Sequence, residues 1–189
     1  MSRDPNGPQS GAGLSVMLCA MSTAHSFALA AAAACLASAT LVVSAQDVPE
    51  AVLSCIANGT KVGHTYIQHA DPAKLKVAAQ LFEAQTQNAD YPEGTVIRAI
   101  PQEAMIKRSK AAFPNTNGWE YVALTVTPQG ATVRERGDAA SNRLGTCQSC
   151  HVKATAFDYV CRSGHDCPAV PLTEQQVTQL QAADPRCAK

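Results

Sequence analysis

Short stretches in which apolar and polar residues alternate lie through the middle of the chain, and each predicts a β-strand. The stretch "GHTYIQH" at 63–69 predicts one strand, and "YPEGTVIRAIP" predicts a turn and a second strand that Pro101 ends. In "NGWEYVALTVTPQGATVRER" a strand with two apolar faces is followed by the turn "TPQG" and by another strand at 131–136. A β-hairpin is therefore predicted in this part of the chain.

Two further segments carry helix signals. Asp71 and Pro72 supply an N-cap and a favoured first helical residue, and the apolar residues at 75, 78, 79 and 82 mark one face of a helix expected to run to about residue 88. Thr173 and Gln176 have the spacing of a capping box and predict a short final helix. Residues 103–110 fit either a short helix or a short strand, and the sequence does not decide between the two.

Near the N-terminus, after a polar stretch, lies an apolar run without helical or strand periodicity. The run "SFALAAAAACLASATLVVSA" at 26–45 has no charge and ends in a small-x-small cleavage pattern before Gln46. We interpret residues 1–45 as a signal peptide cleaved near Ala45, and the protein as exported to the periplasm. The alternative is an N-terminal membrane anchor, because twenty apolar residues can span a bilayer. Residues 46–189 then form one domain.

The charges of this domain balance. The chain has 15 Lys+Arg and 15 Asp+Glu, and removal of Arg3 and Asp4 takes one from each and leaves 14 of each. A neutral chain without basic clusters argues against a nucleic acid or an anionic membrane as partner. The expected substrate is a small molecule.

The pentapeptide "CQSCH" at 147–151 has the C-x-x-C-H spacing of covalent haem attachment. Two thiols three residues apart can each add to a vinyl group of one porphyrin, and the next residue can reach the iron. Cys147 and Cys150 would form the thioethers, and His151 would be the proximal iron ligand. Its second ring nitrogen is expected to donate to a carbonyl or a carboxylate. The prediction is one haem c per chain.

Two other uses of these residues, a zinc site and a redox-active dithiol, fit the sequence less well. A zinc site needs a second ligand pair, and the nearby His165 and Cys167 lack the spacing of one. A thioredoxin-like dithiol needs a strand-to-helix context, whereas "GDAASNRLGT" before the motif predicts a loop.

Six cysteines lie in residues 46–189, and an exported protein meets an oxidising compartment. If haem takes two of them, four remain, with three ways to pair. The favoured pairing joins Cys161 to Cys167 across the loop "CRSGHDC" and Cys55 to Cys187 across the whole domain. Sequence alone does not fix this connectivity.

The surroundings of the motif narrow the class of cytochrome. No methionine follows His151, and Met105 is the one methionine in residues 46–189. A six-coordinate electron-transfer cytochrome would therefore need Met105, which precedes the motif, as its second axial iron ligand. This class of cytochrome is the alternative interpretation. A four-helix cytochrome c prime does not accommodate the predicted hairpin. An open haem site on a β scaffold is the preferred interpretation.

Four segments in order, "HTYIQHAD", "YPEGTVI", "FPNTNGWEYVAL" and "CQSCHVKATAFDYV", resemble the cytochrome P-460 family, which includes the cytochromes c prime beta. The resemblance covers about 64–160. It implies an α+β fold, mainly an antiparallel β-sheet with a few helices, and a single covalent haem c near the C-terminal end. It also implies a five-coordinate iron that binds nitric oxide or hydroxylamine-like species, and a redox partner protein. A homodimer is left open.

The resemblance also suggests distal residues. Hydroxylamine-oxidising members carry a lysine crosslinked to the porphyrin just after Gly-Thr-Val; the matching position here is Ala99, and Lys107 would need a shifted register. The branch without the crosslink, which binds nitric oxide, is thus the better match. Glu103 is the candidate distal base, with a solvated surface carboxylate as the alternative. Asp158 is expected to be structural, and Arg98 is a candidate partner for a haem propionate.

Overall fold

The computed structural model describes residues 48–187. The predicted signal peptide at 1–45 and its cleavage point near Ala45 lie outside the described residues. Among the helices that are described, none combines the length and the apolar composition needed to cross a membrane.

A six-stranded antiparallel sheet forms the centre of the domain, and each strand pairs with its neighbours in the sequence. The prediction of a mainly antiparallel sheet with a few helices, an α+β fold, is confirmed. The strands in order are β1 (Thr60–Val62), β2 (Thr65–Gln68), β3 (Val96–Arg98), β4 (Glu103–Lys107), β5 (Trp119–Thr127) and β6 (Gly130–Arg136).

The strand predictions agree with this sheet. The hairpin of β5 and β6 is present, and the segment that fitted either a helix or a strand is β4, paired with β5 along its whole length. Gly94 precedes β3 with a φ of 93°, a left-handed conformation that glycine adopts without steric cost. This turn brings the Gly94 N–H to the Lys107 carbonyl at 2.8 Å, which extends the pairing of β3 with β4.

The helices are α1 (Glu50–Leu53), α2 (Pro72–Ala84), α3 (Cys147–His151) and α4 (Glu174–Ala182). The side chain of Asp71 caps α2 by accepting from the Ala73 N–H at 2.8 Å. This helix ends at Ala84, earlier than the predicted residue 88, because Gln85 adopts a left-handed φ of 51°. The capping box predicted for α4 is present.

One local prediction was wrong. The stretch at 137–146 was expected to be a loop, but it contains a 3-10 turn at Gly137–Ala139 and a minute hairpin of β7 (Ser141–Asn142) and β8 (Gly145–Thr146). Strands of two residues are too short for an alternating pattern to show. The hairpin leads directly into α3, and the Cys147 N–H donates to the Ala140 carbonyl at 2.9 Å.

The sheet separates two apolar clusters, because successive side chains of a strand point to opposite faces. On the first face the buried side chains of β2 to β5 pack with Ala78 and Phe82 of α2. On the second face Val96, Ile106 and Val122 pack against Val52 of α1. The C-x-x-C-H motif packs with the first cluster through Cys147.

Candidate functional site

A cleft opens on the first face of the sheet, beside the C-x-x-C-H motif. The cleft is partly open to solvent and has a cavity volume of about 100 Å³. Most of its lining is apolar. The lining residues are Thr65, Phe82, Ile97, Ala99, Glu103, Ala104, Met105, Tyr121, Cys147, His151, Val160 and Cys161.

His151 ends α3 with its ring half-buried against the cleft. Its Nδ1 lies 2.7 Å from the carbonyl oxygen of Tyr159, and since a carbonyl can only accept, Nδ1 carries the proton and donates. The ring packs against Tyr121 with 4.9 Å between the centroids. Burial lowers the pKa of His151, which favours the neutral imidazole. Nε2 is therefore left as a lone-pair ligand atom, as a proximal histidine requires.

Cys147 and Cys150 lie one helical turn apart at the start of α3, so both thiols project from one side of this turn. They are the free cysteines of the described residues. Burial raises the pKa of the Cys147 thiol to about 11, and the negative charge of Glu103 adds to the shift. In the protein without a cofactor this thiol is therefore protonated at neutral pH.

The other four described cysteines form disulfides. The bonds join Cys55 to Cys187 and Cys161 to Cys167, the two pairings that the sequence favoured. Asp184 lies close to the first of them, and the three groups have the proximity of metal ligands. Because both sulfurs are already bonded to each other, no metal site is inferred there. Among the residues at 48–187, disulfide formation thus leaves one pair of thiols, and it is the pair in C-x-x-C-H.

These residues fit a covalently attached haem. Cys147 and the imidazole of His151, which has a fixed tautomer, line the same apolar cleft, and the second unpaired thiol, Cys150, lies three residues after Cys147 at the required spacing. The zinc alternative finds no support, because Cys167 is in a disulfide and both ring nitrogens of His165 are hydrogen-bonded, to the Val160 carbonyl and to Gln85. The thioredoxin alternative needs a strand-to-helix context, and here the residues before α3 form only the two-residue strand β8.

The two distal candidates both line the cleft. Ala99 directly follows β3, and its carbonyl accepts a hydrogen bond from the side-chain amide of Gln181 at 2.7 Å. Glu103 begins β4, and its Oε1 accepts from Asn142 at 3.0 Å. Glu103 is neither fully solvated nor deeply buried. It is the one carboxylate among the residues that line the cleft.

Lys107 does not line the cleft, although it lies on β4 four residues after Glu103. Its Nζ is buried and pairs with Asp158 at 2.6 Å and with Asp90 at 3.1 Å. The expectation that Asp158 is structural agrees with this contact. Lys107 is thus held away from the cleft, and the match of Ala99 to a crosslinking position stays a prediction.

The suggestion that Arg98 faces a haem propionate was wrong. Its guanidinium is buried away from the cleft and donates to the carbonyls of Ala51, Ser54 and Pro101. Burial lowers the pKa of Arg98 to about 10, and the charge of Arg186 adds to this shift. In strand β3 Arg98 follows Ile97, which faces the cleft, so alternation directs the arginine to the opposite face.

Tyr121 and Tyr159 are functional candidates that sequence reasoning missed. Tyr121 is 2% exposed and lines the cleft, and its hydroxyl has no hydrogen-bond partner among the described residues. Tyr159 acts through its carbonyl, and a backbone contact of this kind leaves no residue-specific signal in a sequence. The alternation of β5 did place Tyr121 and Trp119 on one face, but it did not reveal which face meets the motif.

Comparisons of the chain with protein-family models, with curated proteins and with solved structures give no match. What the cleft can bind is therefore argued from its own chemistry: an apolar lining with one carboxylate, a histidine with a fixed tautomer, and two unpaired thiols of which Cys147 lines the cleft and Cys150 lies beside it.

Proposed function

We propose that the domain at 46–189 is an exported haem c protein of the cytochrome P-460 type, with an open distal site for nitric oxide or a related nitrogen species. The observation that carries the proposal is the hydrogen bond from His151 Nδ1 to Tyr159, beside the two cysteines that disulfide formation leaves free. Cys147 and Cys150 would hold the porphyrin and His151 the iron. Bound haem supplies a redox-active iron centre with one coordination position for a small ligand.

The protein's own side chains would select the ligand. Ile97, Met105 and Phe82 give the cleft an apolar surface, which disfavours hydrated anions and suits a small neutral molecule such as nitric oxide or hydroxylamine. Glu103 is a hydrogen-bond acceptor held by Asn142, and it would accept a proton from a bound N–H or O–H group. Electrons would pass to or from a separate redox partner protein in the periplasm.

A six-coordinate electron carrier is the second candidate, and Met105 is the observation that favours it. Its side chain is buried in the first apolar cluster and lines the same cleft as His151. A thioether in this position is a potential second axial ligand. In the first proposal Met105 serves only as part of the apolar lining.

Covalent haem attachment is the first testable prediction. The full chain, produced in cells with a c-type maturation system, is expected to retain haem on a denaturing gel. The double variant Cys147→Ser and Cys150→Ser is expected to lose it completely, because neither thioether can form. The matched control is Cys161→Ser with Cys167→Ser, which removes two cysteines of a disulfide and is expected to keep the haem. Wild-type protein without covalent haem would refute the proposal.

The absorption spectrum of the same preparation separates the two candidates. A high-spin ferrous haem that takes up nitric oxide supports the open site. A low-spin spectrum that does not respond to nitric oxide supports ligation by Met105 instead. A strongly red-shifted Soret band, or a lysine found attached to the porphyrin by peptide mapping, would contradict the match of Ala99 to the crosslinking position.

The role of Glu103 is a separate prediction. Glu103→Gln keeps the acceptor for Asn142 but loses the basic carboxylate. We expect hydroxylamine oxidation by the haem-loaded protein to fall about 100-fold, within the range that a positioned base contributes, while nitric oxide uptake is retained. The control is Glu135→Gln, a carboxylate bound to Ser141 that does not line the cleft. Equal rates for wild type and Glu103→Gln would exclude the base, and a wild type that does not oxidise hydroxylamine would leave ligand binding as the function.

A further inference from the structure

A lysine and an aspartate are buried together beside the motif. The side chains of Lys107 and Asp158 are 1% and 0% exposed, and 2.6 Å separates Nζ from Oδ2. Removal of two charges from water is costly, so a buried pair of this kind is weak evidence for stabilisation alone. Its location suggests a different use, because Asp158 lies seven residues after His151.

The carboxylate of Asp158 is held from several sides. Besides Lys107 of β4, the Asn117 amide donates to Oδ1 at 2.6 Å and the Tyr91 N–H donates to Oδ2 at 3.0 Å. Lys107 is fixed in turn by Asp90 and by the Trp119 ring, with 5.2 Å between Nζ and the ring centroid. The position of Asp158 is therefore defined by the sheet and by the loops at its edge.

The backbone at this point has an unusual conformation. Asp158 and Tyr159 have φ values of 52° and 61°, two successive non-glycine residues in the left-handed region. This conformation is unfavourable for residues with a Cβ atom and persists where surrounding contacts impose it. The consequence is that the Tyr159 carbonyl turns toward α3, where it accepts the proton of His151 Nδ1 at 2.7 Å.

We propose that Lys107, acting through Asp158, is a positioning residue that fixes the tautomer and orientation of the His151 ring. The ion pair holds the left-handed turn, the turn presents the Tyr159 carbonyl, and the carbonyl holds Nδ1. Nε2 is thereby kept unprotonated and directed as a ligand atom, and a hydrogen-bonded Nδ1 makes Nε2 a stronger donor to a metal. The consequence at iron rests on the proposed function, but the state of the ring can be measured without haem.

The first experiment uses the full chain purified without haem. Nitrogen NMR of His151 in the wild type is expected to show the Nδ1–H tautomer. In Lys107→Met the ratio of Nδ1–H to Nε2–H is expected to fall about five- to tenfold, the equivalent of one lost hydrogen bond. The matched control is Glu120→Gln, a carboxylate 1% exposed that pairs with Arg108 and Arg136. This variant removes a buried charge elsewhere and is expected to leave His151 unchanged.

A second variant covers the case in which Lys107→Met does not fold. Asn117 has a left-handed φ of 52°, so Asn117→Gly keeps the backbone conformation and removes one donor to Asp158. A smaller change of the His151 tautomer in the same direction is expected. An unchanged His151 in every variant that folds would overturn the proposal.

The haem-loaded protein gives an independent readout. The iron–histidine stretching band of the ferrous form is expected to shift to lower frequency in Lys107→Met and to stay in place in Glu120→Gln. A general loss of stability would not separate these two variants, whereas a positioning role does. If the wild type takes up no haem, the proposed function fails, and the tautomer measurement still decides the role of Lys107.

Discussion

Replacement of both Cys55 and Cys187 by serine is expected to lower the free energy of unfolding by about 5 kcal/mol. The bond joins residues 132 positions apart, and the chain-entropy model assigns the largest stabilisation to the longest closed loop. The covalent tie also anchors the end of the described chain beside α1, where Asp184 accepts from the Ile56 N–H at 3.0 Å. Chemical denaturation of the oxidised protein and of the variant measures the difference.

The second disulfide is the matched control. Cys161 and Cys167 are six positions apart, so the same model gives about 2 kcal/mol for their replacement by serine. The expected order of stability is therefore wild type, then the short-loop variant, then the long-loop variant. Equal losses for the two variants would contradict the loop-length argument and point to native-state contacts as the source of the effect.

Asp158→Asn is expected to lower the free energy of unfolding by about 3 kcal/mol. The change leaves the ammonium of Lys107 buried with a neutral neighbour, and removal of one partner of a buried ion pair typically has a large cost. Asparagine tolerates the left-handed φ of 52°, so backbone strain does not obscure the loss of charge. Asp90 still faces Lys107, with 3.1 Å between Oδ1 and Nζ. The expected loss therefore lies at the lower end of the roughly 3–5 kcal/mol that removal of one partner of a buried ion pair typically costs.

Two comparisons make this measurement specific. Asp90→Asn removes a partner that is 54% exposed, and the expected loss is below about 1 kcal/mol because solvent screens the pair. The double variant Lys107→Met with Asp158→Asn removes both buried charges and is expected to recover most of the stability. A double variant as unstable as Asp158→Asn would show that the carboxylate stabilises the fold through Asn117 and Tyr91 rather than through Lys107.

The elements predicted correctly are those whose signals are local. Alternation along β5, the N-cap at Asp71 and the capping box at Thr173 each act within a few residues, and each is present. The C-terminal end of α2 and the minute hairpin of β7 and β8 were not predicted. They depend on single backbone conformations, such as the left-handed Gln85, that several residue types can adopt.

The candidate site was predictable only in its sequence-continuous part. C-x-x-C-H is a spacing, so Cys147, Cys150 and His151 can be read from the chain directly. The Lys107–Asp158 pair joins residues 51 positions apart, one on β4 and one after the C-x-x-C-H segment, so no local pattern in the sequence reveals it. The prediction that Arg98 faces a haem propionate failed because a shift of one position along β3 decides which face of the sheet a side chain meets.

The disulfide between Cys55 and Cys187 has a consequence for biogenesis. In a chain secreted from its N-terminus, Cys55 is the first of the six cysteines to emerge and Cys187 is the last. Cys147 and Cys150 both appear in the interval, when Cys55 has no native partner. A premature bond to either of them would remove a thiol from the proposed haem attachment. If the chain is exported and carries haem as proposed, we expect its maturation to depend on a reductant or an isomerase that keeps these thiols available until the last cysteine arrives.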